Sequence, residues 1–200
     1  MTTTPTARPA PFRVGFVTGA TPDKWGRTWR ERRREPLELV PVTEEEQETR
    51  LRDRSLDMVL ARLPVDRDGV HCVPLYDEVA VVVAGVDHFV AGADEVELAD
   101  LAGEQLVLPH PSGWTPDADQ LAWPAMSQRD AVETVAAGTG VAIVPMSVAR
   151  LFNRKDVVTR PVVDVAPTTI GLTWLVEHDD ERCQAFVGVV RGRSARSSRG

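Results

Sequence analysis

Apolar runs and amphipathic segments alternate over the first third of this 200-residue chain. The amphipathic segments predict two helices, and the apolar runs predict three strands, at FRVGFVTG, LELVPV and LDMVLARLP. Thr21 and Pro22 suit the start of the first helix, while Thr43 and Glu46 form a capping box before the second. The β-α-β-α-β order is typical of a parallel, doubly wound sheet with helices on both faces.

The rest of the chain predicts a second set of elements. VAVVVAG is almost continuously apolar, as a strand buried on both faces would be. A short helix at Leu98–Leu101 and a strand at Gln105–Leu108 precede an irregular, proline-rich segment. The later elements are the helix SQRDAVETVAAGTG, the strand VAIVP, the helix MSVARLFN, the strands VVTRPVVDV and IGLTWLVE, and a terminal helix capped by Asp179 or Asp180.

This order of elements predicts two α/β lobes, with the chain returning to the first lobe after completing the second. We expect the first lobe to comprise residues 12–84 and 161–190, and the second lobe residues 85–160. Residues 1–11 are expected to form a flexible leader, and residues 191–200 a basic, disordered tail. Contact with an acidic partner or with nucleic acid is the alternative for that tail.

Composition and charge limit the classes of function. Hydrophobic residues make up 42% of the chain and charged residues 26%, which predicts an ordinary soluble domain. The net charge of −7 argues against a nucleic-acid-binding body, because phosphate contacts come mainly from Lys and Arg. There is no secretory signal, no apolar run near the roughly 20 residues that cross a bilayer, and no spacing motif around the two cysteines. We therefore expect a cytoplasmic protein without membrane contact.

The stretch VAAGTGVAIVP raises the question of a phosphate-binding loop. A dinucleotide fingerprint runs from strand to glycines to helix, whereas here a helix leads into the glycines and a strand follows. We expect Gly138 to end the helix in the left-handed conformation and Gly140 to allow a tight entry into the strand. No cofactor is predicted.

Catalytic and metal sites are not indicated either. The four histidines are scattered, and none lies at zinc spacing from Cys, Asp or Glu. There is no G-x-S-x-G elbow, and neither cysteine precedes a helix N-terminus. The chain is therefore expected not to be an enzyme.

Polar residues do follow the predicted strands, at the edge where open α/β sheets bind ligands. They are Thr18 and Gly19 after the first strand, Thr43 after the second, Arg62 after the third, and His110 and Ser112 in the second lobe. The turn at Thr18 leads into a helix whose N–H groups would favour an anion, and Arg62 could bind a carboxylate. The alternative for Arg62 is a salt bridge with a neighbouring acid.

Five segments in order resemble the effector-binding domain of LysR-type transcriptional regulators, over about residues 12–190. They are FRVGFVTGA, LRDRSLDMVLARLP, VPLYDEVAVVVAGVDH, LADLAGEQLVLP and DAVETVAAGTGVAIVPMSVA. The resemblance implies a fold like type 2 periplasmic-binding proteins, two Rossmann-like lobes joined by crossover strands near Glu78–Ala84 and Val157–Val163. A small organic, anionic effector would bind in the cleft between the lobes.

Carried over by position, the resemblance implies a set of effector contacts from both lobes. These are Thr18, Gly19, Thr43, Arg62, Leu63, His110, Ser112 and Thr139. It also implies transcriptional regulation through a homodimer or a regulator protein partner.

The sequence departs from the family where a winged helix-turn-helix would stand, since only ten flexible residues follow Met1. We expect a stand-alone effector domain without direct sequence-specific DNA binding.

Two other hypotheses about the function stay open. One is an interaction module with a closed cleft, in which Trp114 and Trp123 anchor a partner instead of covering the second lobe's core. The other is an enzyme on the same fold that uses Arg62 and His110.

Overall fold

The computed structural model describes residues 10–192, which form two compact units. The first unit contains the chain up to Tyr76 and again from Thr169, and the second is the continuous segment Asp77–Thr168. The predicted flexible leader and basic tail lie almost entirely outside the described residues.

Helices and strands follow one another in nearly the predicted order. The strands are β1 (Phe12–Val17), β2 (Leu37–Val42), β3 (Met58–Arg62), β4 (Val70–Glu78), β5 (Ala80–Gly85), β6 (Ala142–Pro145), β7 (Val157–Pro161) and β8 (Thr168–Leu175). The α-helices are α1 (Asp23–Arg32), α2 (Gln47–Arg52), α3 (Gln128–Ala136), α4 (Met146–Leu151) and α5 (Glu181–Val190). Short 3-10 helices span Phe89–Gly92, Leu98–Leu101 and Val176–His178.

The first unit contains a five-stranded sheet in the order β2-β1-β3-β8-β4. β1 pairs in parallel with both β2 and β3, as the sequence predicts. β8 returns from the second unit and pairs antiparallel with β3, so the complete sheet is mixed.

Aromatic side chains fix the first unit's core. Phe12 stacks on Trp29 with 5.2 Å between ring centroids, and Phe186 meets the edge of Phe12 at 6.0 Å. All three are fully buried. The first strand, the first helix and the last helix are therefore joined by one apolar cluster, and such burial is the main stabilising contribution.

The second unit contains a three-stranded sheet, β6-β5-β7, in which both pairs are antiparallel. Residues 80–84 of β5 are all buried, since Val81 and Val83 face one apolar cluster while Val82 and Ala84 face another. The prediction of a strand buried on both faces is confirmed. Trp114 and Trp123 are partly buried against these two clusters.

The boundaries between the units differ from the predicted ones. The chain passes between them at Tyr76–Asp77 and at Thr168–Thr169, outside the predicted crossovers Glu78–Ala84 and Val157–Val163. Both of those segments lie in the second unit, because β5 and β7 pair with each other. The second unit is therefore longer at both ends than the predicted 85–160.

One predicted strand is wrong. Within the predicted strand Gln105–Leu108, pairing is limited to an isolated parallel bridge between Leu106 and Val141. The Gln120 side chain accepts the Leu106 N–H at 2.8 Å, so a side chain takes the place of a neighbouring strand.

Candidate functional site

The carboxyl ends of three strands meet at one edge of the first unit's sheet. Because β1, β2 and β3 are parallel, the residues that follow them, Thr18, Thr43 and Leu63, lie at the same edge. Arg62 at the end of β3 pairs with Ile170, so antiparallel β8 begins at this edge. The sequence prediction that these positions share an edge is confirmed.

Arg62 is the buried centre of this edge, with 5% of its surface exposed. Its Nε donates to Glu44 Oε1 at 2.8 Å, and its Nη2 donates to the Thr18 carbonyl oxygen at 3.1 Å. The Gln47 amide holds the backbone of Arg62, accepting its N–H at 2.9 Å and donating to its carbonyl at 3.1 Å. The predicted alternative, a salt bridge with a neighbouring acid, is therefore present.

Glu44 and Gln47 are the residues that sequence reasoning missed. Gln47 is 6% exposed, unusual for an amide side chain, and Glu44 belongs to a run of acids that predicts only an exposed helix start. The capping box before α2 was the available signal, because it fixes the first turn and with it both side chains.

Thr43 and Glu46 form the predicted reciprocal hydrogen bonds, but around the turn that precedes α2, because the helix itself begins at Gln47 and has no side-chain cap. The Thr43 hydroxyl accepts the Glu46 N–H at 3.3 Å, and the Glu46 carboxylate accepts the Thr43 N–H at 3.2 Å. The Thr43 hydroxyl proton is not used by either bond, so this exposed side chain can still donate.

The start of α1 differs from the prediction. Gly19 has a φ of +90°, and the Ala20 N–H already donates to the Val17 carbonyl at 3.0 Å in a tight turn. Pro22 occupies the cap position without a side-chain cap, so Thr21 does not cap the helix. Because Asp23 places a carboxylate in the first turn, this terminus is poorly suited to a second anion.

Leu63 contributes an apolar wall beside Arg62. Its N–H donates to the Thr169 carbonyl at 2.9 Å. The half-buried side chain packs against Gly171 of β8, where a Cβ would lie 3.1 Å from a Leu63 methyl group. The edge thus combines one buried cation with adjoining polar and apolar surface.

In the second unit, His110 and Ser112 form a compact polar turn. His110 Nδ1 lies 2.7 Å from Ser112 Oγ and accepts the Ser112 N–H at 3.3 Å, while Ser112 Oγ accepts the Trp114 N–H at 3.2 Å. Burial lowers the pKa of His110, so its ring is neutral at pH 7. These contacts favour a proton on Nε2, which leaves that atom as a donor.

The chain enters the second unit at the start of β5, which we call the entry end, and Thr139 lies at the opposite end of the unit. β5 begins beside Pro145 of β6 and ends at Gly85, which adjoins the Val135 carbonyl in the last turn of α3. Thr139 follows that turn, roughly the 20 Å length of a six-residue strand away from the entry. The segment that contains His110 instead runs parallel to β6, from Leu106 toward the entry end. The structure therefore does not bring Thr139 together with His110.

The predicted glycine turn is confirmed. Gly138 has a φ of +88° directly after α3, and Gly140 has a φ of +65°. A Cβ on Gly140 would lie 2.2 Å from the Gln105 carbonyl oxygen, so the turn requires glycine for a close backbone approach. This stretch therefore serves the packing of the second unit.

A surface cavity of about 260 Å³ lies at the opposite edge of the first unit's sheet, where Asp57 precedes β3 and Leu175 ends β8. Arg54 pairs with Glu177 at 2.7 Å in its lining, and Arg182 pairs with Asp180 at 2.9 Å. The lining contains four acidic residues against two arginines, so the cavity does not suit an organic anion.

No group of three or more His, Cys, Asp or Glu side chains within residues 10–192 is arranged to hold a metal ion. None of the helices described there has the length and apolar character needed to traverse a bilayer.

Comparisons with known proteins agree with the fold. The model of the LysR substrate binding domain matches residues 29–195. The Hca operon transcriptional activator HcaR of Escherichia coli is 31% identical over 174 residues, which cover 80% of this chain and 58% of HcaR. The chain thus spans somewhat over half the length of that curated relative.

Solved structures share the architecture at low identity. The Corynebacterium glutamicum OxyR C206 mutant matches with a TM-score of 0.73 and 24% identity, over 94% of this chain and 64% of that one. The BenM effector binding domain with its effector benzoate matches with a TM-score of 0.73 and 20% identity, over 93% and 92%. Reduced OxyR matches with a TM-score of 0.74 and 23% identity, over 92% and 95%.

This chain belongs to the LysR substrate-binding domain family, and its fold is the type 2 periplasmic-binding-protein-like fold of those effector domains. The family takes part in the regulation of transcription and is not an enzyme family.

Proposed function

We propose that this chain senses a small organic anion, and that the ligand carboxylate binds Arg62 at the carboxyl edge of the first unit's sheet. The supporting observation is the contact between Arg62 Nε and Glu44 Oε1 at 2.8 Å. It shows that the guanidinium already accommodates a carboxylate in a well-defined geometry. Arginine suits this role because its planar donors match a carboxylate.

In this proposal Glu44 is an internal competitor that the effector carboxylate replaces. Glu44 is 30% exposed while Arg62 is 5% exposed, so the acid can leave toward solvent while Gln47 keeps the backbone of Arg62 in place. Removal of a buried cation's partner without replacement is unfavourable, so exchange of one carboxylate for another is the low-energy route.

Displacement of Glu44 would carry the signal into α2. Glu44 lies within the turn that precedes this helix, between Thr43 and Glu46 of the capping box. Release of its carboxylate would change the first turn of α2, which offers a two-state element for regulation.

The residues predicted for the second unit, His110, Ser112 and Thr139, remain predicted contacts, and Thr139 is the weakest of them because of its distance from the entry end.

We further propose that the chain acts in transcription as a homodimer or through a regulator protein partner, as the family resemblance implies. Direct sequence-specific DNA contact is not part of the proposal, in keeping with the net charge of −7. No observation favours the alternative interaction module anchored by Trp114 and Trp123, because both rings pack against the second unit's own clusters.

Carboxylate binding tests the proposal, with benzoate as the first probe in a panel of aromatic and aliphatic acids. We expect Arg62→Met to abolish binding, and Glu44→Gln to tighten it by about tenfold because the competing charge is removed. Glu45→Gln is the matched control, since it removes the same charge one residue away and should leave affinity within about twofold. Isothermal titration calorimetry measures all four proteins.

The proposal fails if Glu44→Gln weakens binding, or if Arg62→Met binds as tightly as the wild-type protein. It also fails if no acid in the panel raises the melting temperature of the wild-type protein, since bound ligand must stabilise the folded state.

A further inference from the structure

Two short segments of this acidic chain are strongly basic. Residues 24–35, which include most of α1, contain six basic and two acidic side chains. Residues 191–200, which follow α5, contain four arginines and no acid. The rest of the chain has 13 basic against 28 acidic side chains, so the excess of positive charge is confined to these two segments.

Four cations are exposed on α1 and directly after it, and we call them the basic face: Lys24, Arg27, Arg30 and Arg34. The first three follow one another at three-residue spacing, which places them in one band on the solvent side of the helix. Asp23 and Glu31 are the exposed acids of this helix. None of the four cationic side chains forms a hydrogen bond or an ion pair with another part of residues 10–192. The basic face is therefore available to an anionic partner.

The last helix brings the second basic segment to the same part of the first unit. Arg33, directly after α1, donates to Glu181 in the first turn of α5 at 3.0 Å. Trp29, one turn earlier, meets Phe186 with 5.8 Å between ring centroids. Earlier residues of α1 thus lie beside later residues of α5, so the two helices run antiparallel. Arg191 follows α5 at the end where α1 begins, and the four arginines of residues 191–200 start from that point.

The composition of the basic face favours a phosphate backbone over a protein surface. Protein interfaces centre on apolar and aromatic side chains and have few charges at their core. Both tryptophans of α1 serve the first unit instead, since Trp29 is buried and Trp25 is half-buried against the same core. No apolar side chain of residues 23–34 is exposed. Arginine donors match phosphate oxygens in pairs, and three of the four cations are arginines.

We propose that the basic face of α1, together with the arginines of residues 191–200, binds the phosphate backbone of duplex DNA without sequence preference. A duplex fits better than a single strand, because the described part of this surface exposes no aromatic side chain on which bases would stack. The acidic remainder of the chain repels DNA, which orients the basic face toward it. This inference goes beyond the proposed function and does not depend on acid binding at Arg62.

Fluorescence anisotropy with a labelled duplex of about 20 base pairs and arbitrary sequence tests the inference, in a titration from about 50 to about 200 mM salt. About five phosphate contacts correspond to a slope of about −4.5 in a plot of log K against log salt concentration. The triple variant Arg27→Gln, Arg30→Gln, Arg34→Gln should bind at least about tenfold more weakly at the lowest salt, and its slope should be shallower by about 3.

The matched control removes three exposed cations from other parts of the chain, Arg67→Gln, Arg150→Gln and Lys155→Gln. It changes the net charge equally, so its slope should stay that of the wild-type protein and its affinity should stay within about threefold. Replacement of all four arginines of residues 191–200 by glutamine should make the slope shallower by at least about 1. An unchanged slope would remove this segment from the surface.

Several results overturn the inference. They are an absence of duplex binding at the lowest salt, an equal loss of affinity in the control variant, and tighter binding of single-stranded DNA. Tighter binding of a poly-glutamate peptide would assign the basic face to an acidic protein segment instead. Sedimentation velocity covers the remaining occupant, because a dimer that only the triple variant dissociates would assign the face to a second copy of the chain. None of these results bears on acid binding at Arg62, which is measured separately.

Discussion

Cys72 and Cys183 illustrate how surroundings decide the chemistry of a single residue. Burial raises the pKa of the Cys72 thiol, and it raises the pKa of Cys183 to about 12. The thiolate is the reactive form of cysteine, so both residues are held in the unreactive state at neutral pH. The likeness to OxyR structures is therefore a likeness of fold.

We predict that Cys183 in the native protein reacts with Ellman's reagent at pH 8 at least about a hundredfold more slowly than in the unfolded protein. Stopped-flow absorbance on the Cys72→Ser variant isolates the Cys183 thiol. A native rate similar to the unfolded rate would show that the thiol is accessible and ionised, contrary to its burial.

His110 yields a prediction about pH. Burial lowers its pKa in the folded protein, so the unfolded chain binds the proton more readily. Stability contributed by the neutral ring is complete above the ordinary value near 6.5 and is lost as the pH falls below it. Between pH 7.5 and pH 5, His110→Asn should therefore lose less stability than the wild-type protein in urea unfolding. An identical loss in both proteins would show that the pKa of His110 is the same in the folded and unfolded states.

At the scale of elements, the turn between α3 and β6 shows two separate reasons for glycine, a positive φ and a close approach of another backbone segment. Gly138 and Gly140 both have positive φ, of +88° and +65°, but a Cβ would meet an obstacle only at Gly140. The two positions therefore differ in sterics while sharing the backbone conformation.

We predict that Gly140→Ala lowers the free energy of unfolding by about 3 kcal/mol, because strain and a backbone clash add together. Gly138→Ala is the matched control, and it should lose only about 1 kcal/mol from the positive φ alone. Urea denaturation followed by circular dichroism measures both. Equal losses would mean that the Gln105 backbone can move aside.

Element prediction succeeded where local signals were sufficient. The strands of the first unit, the paired hydrogen bonds of Thr43 and Glu46, and the left-handed helix end all depend on residues close in sequence. The predicted strand at Gln105–Leu108 failed because Gln120, fifteen residues after Gln105, supplies the hydrogen bond that a strand partner would have made. No local pattern carries that information.

At the scale of the whole molecule, the two units differ in how the chain builds them. The second unit is one continuous segment with apolar clusters on both faces of its sheet. The first unit is discontinuous, since β8 lies between β3 and β4 and Phe186 of α5 packs against Phe12.

We predict that residues 77–168 expressed alone fold with a cooperative thermal transition, because every strand of their sheet and its covering helices are present. Residues 10–76 alone should not fold, because they lack the strand beside β3 and the aromatic partner from α5. Near-UV circular dichroism and thermal melting test both fragments. A folded 10–76 fragment would show that β8 and α5 are dispensable for the core.

The sequence by itself determined the family, the order of elements and the shared edge of Thr18, Thr43 and Arg62. These follow from periodicity, from caps, and from the rule that parallel strands end at one edge. Tertiary structure alone decided that Glu44 and Gln47 hold Arg62, and that Thr139 lies far from the end at which the chain enters the second unit. The reason is physical: local periodicity encodes which face of an element is buried, whereas hydrogen-bond partners distant in sequence are set by how the elements pack.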